Sequence, residues 1–97
     1  MSPISVLVLT QQDCAFCETA KDMFERLSRE YPLSITTLPL DSAEGVSLAA
    51  RGGVLFAPGI FIDGKPFSYG RPSERKIRQE IERRLRELIP PAGGPRN

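Results

Sequence analysis

Ninety-seven residues suffice for one hydrophobic core and are too few for two. With 40% hydrophobic and 26% charged residues the chain has the composition of an ordinary globular domain, and disorder is expected only at its ends. A formal net charge of +1 argues against nucleic acid as an obligate partner, because phosphate binding normally leaves a basic excess.

The nearly continuous apolar run from Ile4 to Leu9, rich in β-branched residues, predicts a strand buried on both faces. Thr10 to Asp13 is a polar turn leading to Cys14. From there Phe16, Ala20, Met23, Phe24, Leu27 and Tyr31 recur at helical spacing, with Glu18, Lys21, Asp22, Glu25 and Arg26 on the other face, and Pro32 stops the helix. Leu33 to Leu40 predicts a second strand whose Pro39 marks an edge or an exit. Asp41 and Ser42 are N-cap candidates for a short helix carrying Val46, Leu48 and Ala49, closed by Gly52 and Gly53.

Val54 to Pro58 leads into a third strand, Gly59 to Ile62. Asp63-Gly64 is the strongest hairpin signal in the chain, so Lys65 to Tyr69 is expected to run antiparallel to the third strand. Ser73 caps a last helix with Ile77, Ile81, Leu85, Leu88 and Ile89 on one side. The expected organisation is one domain over residues 1–89, followed by a flexible Pro/Gly-rich tail over residues 90–97. The element order is βαβ-α-ββα, with the first two strands parallel through a right-handed crossover and the hairpin adding an antiparallel pair.

Charge is divided along the chain. Residues 1–70 carry 5 basic and 8 acidic side chains, whereas residues 71–88 carry 7 basic and 4 acidic. The plain reading is a solvated amphipathic helix at the end; the other is a docking face for acidic partners. No run approaches the roughly 18 apolar residues needed to span a membrane, and the stretch at Ile4–Leu9 is too short for a secretory signal. No membrane partner is expected, and the setting is expected to be cytoplasmic.

Cys14 and Cys17 carry the chemistry. Disulfide exchange needs a thiolate to attack and a second thiol close enough to release the mixed disulfide. A Cys-x-x-Cys at a helix start meets both needs, since unpaired N–H groups and a partial positive charge favour the thiolate of the first cysteine. Cys17, one turn further in, is expected to be shielded and to resolve rather than attack. Two cysteines this close are a poor structural staple, because so short a loop constrains the unfolded chain little.

Two other readings of the pair remain. Half of a zinc site would need carboxylates or a second chain, because there is no further Cys and no His; no metal is expected. Two inert buried cysteines are the other reading. Asp13 works against activation, since a carboxylate beside a developing thiolate disfavours it. With no His as general base, proton transfer falls to water, Glu18, Asp13 or the partner thiol.

From Cys14-Ala15-Phe16-Cys17 after the first strand and Ala57-Pro58 before the third, the chain resembles the thioredoxin superfamily over residues 4–88, and in size it looks most like a glutaredoxin. The resemblance implies an α/β thioredoxin-like fold, a four-stranded mixed sheet with helices on both faces. It further implies that Pro58 is cis and that Ala57 offers backbone hydrogen bonds to a bound peptide or glutathione. Phe16 then keeps the aromatic position of Cys-Pro-Tyr-Cys without its hydroxyl. Gly70 stands at one of the two glycine positions that seat the γ-glutamyl end of glutathione, and Arg71 or the N–H groups at Ser73 and Glu74 offer a place for a carboxylate. Gln11 stands where the family often has Lys, and Val8 where thioredoxins have a buried Asp; Lys21 is a further cation that lies near the cysteines in sequence.

The expected function is a thiol–disulfide oxidoreductase that reduces disulfide-containing proteins or small disulfides. It is expected to be a monomer without a tightly bound cofactor, with glutathione or another low-molecular-weight thiol as reductant. The alternatives are a glutaredoxin-like dimer holding a [2Fe–2S] cluster and a non-catalytic interaction module on the same fold.

Overall fold

The computed structural model describes residues 3–88. The expected tail over 90–97, the end of the expected domain at residue 89 and the apolar contribution of Ile89 lie outside the described residues, as does the side chain of Leu88. The elements follow the expected order: β1 (Ile4–Thr10), α1 (Ala15–Leu27), β2 (Leu33–Pro39), α2 (Ala43–Gly52), β3 (Gly59–Ile62), β4 (Lys65–Tyr69) and α3 (Glu74–Leu88).

The sheet runs β2-β1-β3-β4. β1 and β2 are parallel with Val6 opposite Ile35, β3 is antiparallel to β1 with Val8 opposite Ile60, and β4 is antiparallel to β3. The register puts Ile4, Val6, Val8, Ile60 and Ile62 on one face, where they pack with Ala20, Met23, Phe24 and Leu27 of α1 and Ile77 and Ile81 of α3. Each of the large side chains here is fully buried, and burial of one such group stabilises the fold by about 1.5–3 kcal/mol. The opposite face is covered less completely. Ser5 is exposed and Leu7 half-buried, so β1 is sealed on one face and only partly on the other. Phe61 lies under α2 there, its ring so close to Gly52 that a Cβ would sit 2.9 Å away.

Local chemistry explains most boundaries. Ser42 caps α2 by accepting from the Gly45 N–H at 3.0 Å. That helix ends with Gly53 at φ 69°, a left-handed conformation that costs glycine nothing, and the Val54 N–H reaches back 2.9 Å to the Ala49 carbonyl. Ser73 caps α3, its Oγ accepting from the Lys76 N–H at 3.3 Å. Pro66 sits in β4, an edge strand, as the missing N–H requires. β2, which ends at Pro39, is the other edge.

Three expectations are corrected. α1 ends at Leu27 rather than running to Pro32: past Ser28 the ladder tightens to i→i−3 bonds, Arg29 N–H to the Arg26 carbonyl and Glu30 N–H to the Leu27 carbonyl, and Tyr31 packs against the core from the loop. Phe16 shares the helical spacing of the core residues but is 46% exposed and lines a surface cleft, while Cys17, the next residue, takes the buried face of that turn. Val46 of α2 is likewise exposed, and Gly45 is the buried residue of that helix.

Part of the basic stretch at the end is paired within the molecule: Arg78, Arg83 and Arg84 make ion pairs, whereas Arg71, Arg75, Lys76 and Arg86 make none among the described residues. Arg78 donates to both oxygens of Glu30 at 2.8 and 2.9 Å and to Glu74 at 3.0 Å, while Arg26 donates to Glu74 at 3.0 Å. These contacts fasten α3 to the end of α1. They hold the Glu30 and Glu74 carboxyls below the ordinary carboxylate range, through Arg78 for the first and chiefly Arg26 for the second. Arg84 bridges Glu80 to Asp63 in the β3–β4 turn.

Candidate active site

Cys14 is the N-cap of α1. Its backbone is extended (φ −116°, ψ 103°), as an N-cap requires, and its sulfur accepts from the Cys17 N–H at 3.1 Å. The two cysteines are joined as a disulfide, with Cα atoms 5.2 Å apart. Their environments differ: Cys14 is partly exposed, whereas Cys17 is 1% exposed on the buried face of α1. The cap geometry aims first-turn N–H groups and the positive end of the helix at the Cys14 sulfur, an arrangement that stabilises an anion there.

The peptide bond between Ala57 and Pro58 is cis, as the resemblance implies. Both residues are buried, and the Pro58 carbonyl accepts from the Gly70 N–H at 2.9 Å, which ties the loop before β3 to the turn before α3. The Ala57 backbone N–H and carbonyl take no partner among the described residues. Gly70 has φ +79°, and a Cβ there would lie 2.7 Å from the Phe56 ring. Phe56 therefore occupies the open side of Gly70 and meets Tyr69 edge to face, centroids 5.0 Å apart.

Phe16 and Arg71 meet in one cleft of about 330 Å³, with Met23, Arg26 and Glu74. Lys21 does not join them. It pairs with Glu18 at 3.0 Å and lines a separate groove of about 910 Å³ with Gln11, Asp13, Asp41 and Val46. Lys21 and Arg71 therefore do not converge on one ligand, and the second cation of the Arg71 cleft, Arg26, is paired with Glu74.

Sequence reasoning missed the apolar flank. Leu55 is 75% exposed and Phe56 55% exposed, directly before Ala57-Pro58, and Tyr69 stands beside them. The signal was present in two large apolar residues between a helix-terminating glycine pair and a proline, where no strand could take them. Their pairing with Tyr69 needed the strand register.

The chain matches no protein-family model. It is 25% identical over 80 residues to a probable thioredoxin of Archaeoglobus fulgidus, covering 82% of this chain and 88% of that protein. It is 26% identical over 85 residues to a thioredoxin of Methanocaldococcus jannaschii, covering 88% of this chain and all of that one. Among solved structures, a mutant thioredoxin from Halobacterium salinarum NRC-1 superposes with a TM-score of 0.64 at 21% identity, over 84% of this chain and 74% of that chain. The four-stranded mixed sheet is thioredoxin-like. The thioredoxin-like sheet, the two thioredoxin-named relatives and the Cys14–Cys17 pair at the head of α1 together support a thiol–disulfide oxidoreductase. Among the described residues no helix is long and apolar enough to cross a membrane.

Proposed function

We propose that the chain reduces disulfides in other proteins, with Cys14 attacking and Cys17 resolving. The Cys14 thiolate attacks one sulfur of the target disulfide, and the other target sulfur leaves and takes a proton. Cys17 then attacks the Cys14 sulfur of the mixed disulfide, which releases the second target thiol and leaves the Cys14–Cys17 disulfide. Two electrons pass to the target in each cycle. The carrying observation is the difference between a partly exposed N-cap sulfur and its shielded partner three residues on.

The surroundings suit a polypeptide target. Phe16, Leu55, Phe56 and Tyr69 present apolar surface, and the Ala57 backbone, without a partner among the described residues, would pair with an extended target segment. The glutaredoxin-like part of this reading assigns the return of electrons to glutathione or another low-molecular-weight thiol. Two such thiols become one disulfide as the protein disulfide opens. Arg71, exposed and without an ion-pair partner among the described residues, is the group for the thiol's carboxylate. No tightly bound cofactor is required, and a reducing cytoplasm and a monomer go with the reading.

The test is trapping. A Cys17→Ser variant incubated with a disulfide-bonded protein should accumulate a mixed disulfide through Cys14, whereas Cys14→Ser should accumulate none and should not turn over. A Cys14→Ser variant that still reduces the target overturns the assignment. For the small-thiol reductant, Arg71→Ala should raise the KM for glutathione about five- to thirtyfold, the worth of one charge-assisted hydrogen bond, and leave reduction by dithiothreitol unchanged. Normal glutathione turnover in that variant removes Arg71 from the site.

A further inference from the structure

Two non-glycine residues adopt a left-handed backbone, Asp13 at φ 55° and Asp63 at φ 51°. Asp63 is explained by its surroundings. It opens the hairpin with Gly64, its Oδ1 accepts from the Ser5 N–H at 3.0 Å, and its Oδ2 takes Arg84 at 3.0 Å. Asp13 is not explained in this way. Its carboxylate is exposed and takes no hydrogen bond or ion pair among the described residues, although glycine would adopt that turn without strain. A strained residue with no structural partner, one position before the reactive sulfur, calls for a role at the site.

The charges around it identify that role. On the groove side Lys21 is neutralised by Glu18 at 3.0 Å, and Asp41 is the remaining acid. On the cleft side Arg26 is held by Glu74, which leaves Arg71 beyond Phe16. The uncompensated charge adjacent to Cys14 along the chain is therefore the Asp13 carboxylate. It and a Cys14 thiolate compete for the same positive helix end. We propose that Asp13 is a positioning residue for the dithiol's redox balance: its carboxylate, one residue before Cys14, disfavours the Cys14 thiolate and so keeps the pair a reductant. The link is thermodynamic: a stabilised thiolate stabilises the reduced form and makes a disulfide more oxidising, so destabilising the thiolate does the reverse. The inference rests on Cys14 being the attacking thiol.

Asparagine tolerates the left-handed backbone and lacks the charge; glycine lacks both charge and strain. The reduced protein is equilibrated with glutathione disulfide, the dithiol and one glutathione disulfide giving the protein disulfide and two glutathione molecules. Asp13→Asn and Asp13→Gly should each shift this equilibrium about three- to tenfold towards the protein dithiol, which is about 14–30 mV at 29.6 mV per tenfold. The pH profile of iodoacetamide labelling at Cys14 should move to lower pH in both. Both shifts should shrink in molar salt, whereas Asp13→Glu should keep the wild-type potential. Wild-type potentials and profiles in the Asn and Gly variants overturn the proposal, as does a shift in Gly alone, which would assign the effect to the backbone. Label appearing first on Cys17 in the wild-type protein would instead overturn the assignment of the attacking thiol.

Discussion

The two ends of α1 are built on opposite terms. At its C-terminal end every polar group used has a partner inside the molecule: Arg26 holds Glu74, Glu30 and Tyr31 take Arg78, and the Tyr31 hydroxyl donates to Glu82. At its N-terminal end the cap is a sulfur, Phe16 lies open to solvent, and Asp13 sits in a left-handed turn without a partner. One helix thus has an end whose polar groups are paired within the molecule and an end where the Phe16 ring and the Asp13 carboxylate are left exposed. The completed end fixes where the open end points, since Phe24 and Leu27 anchor α1 to the sheet face below.

That contrast is open to test. The largest expected effect is at the open end: Cys14→Ser abolishes disulfide turnover while leaving the thermal midpoint close to that of the reduced wild type, because its sulfur is partly exposed and a hydroxyl also caps helices well. Turnover in a coupled reduction assay and calorimetry read the two halves of this statement. Next comes the anchored middle, where Phe24→Ala should cost about 3–5 kcal/mol of stability, measured by denaturant unfolding, by removing a fully buried ring. The Cys14–Cys17 potential of the molecules still folded should not change.

A smaller effect belongs to the apolar flank. Phe56→Ala should lower kcat/KM for a protein disulfide about three- to tenfold, as loss of one half-exposed contact does, with dithiothreitol oxidation unaltered. Equal losses with both substrates would mean that the ring supports the fold rather than the target. Smallest is Arg78→Met at the completed end. Glu30 is held below its ordinary value of 4.5 by Arg78, and Glu74 by Arg26 first and Arg78 second. Depressed carboxyls contribute stability above their unfolded value and lose it as pH falls through the folded one. The variant's thermal midpoint should therefore lie slightly below wild type at pH 7, and the gap should close as pH falls below about 4.5 and in molar salt. A gap that persists in acid would assign the effect to the Arg78 guanidinium over the Tyr31 ring rather than to the carboxylates.

The same contrast governs what could be read from the residues alone. The strands at Gly59–Ile62 and Lys65–Tyr69, the caps at Ser42 and Ser73 and the Cys-x-x-Cys at a helix start are local patterns, and local patterns are legible. The spacing puts Phe16 on the buried stripe; its exposure depends on which elements reach that turn of the helix, and periodicity does not reveal that. Phe56 against Tyr69, Arg78 between Glu30 and Glu74, and Lys21 turned towards Glu18 depend on which side chains the fold brings side by side. The resemblance implied the cis bond at Ala57-Pro58, whereas the meeting of Phe56 with Tyr69 depends on how the segment before β3 lies against β4.

The account turns on the claim that the exposed cap sulfur attacks and the buried one resolves. Brief iodoacetamide treatment of the fully reduced protein at neutral pH, followed by peptide mass mapping, tests it most directly. The account predicts a first label on Cys14, with Cys17 reacting only slowly behind it. A first label on Cys17, or equal rates at the two, would contradict it.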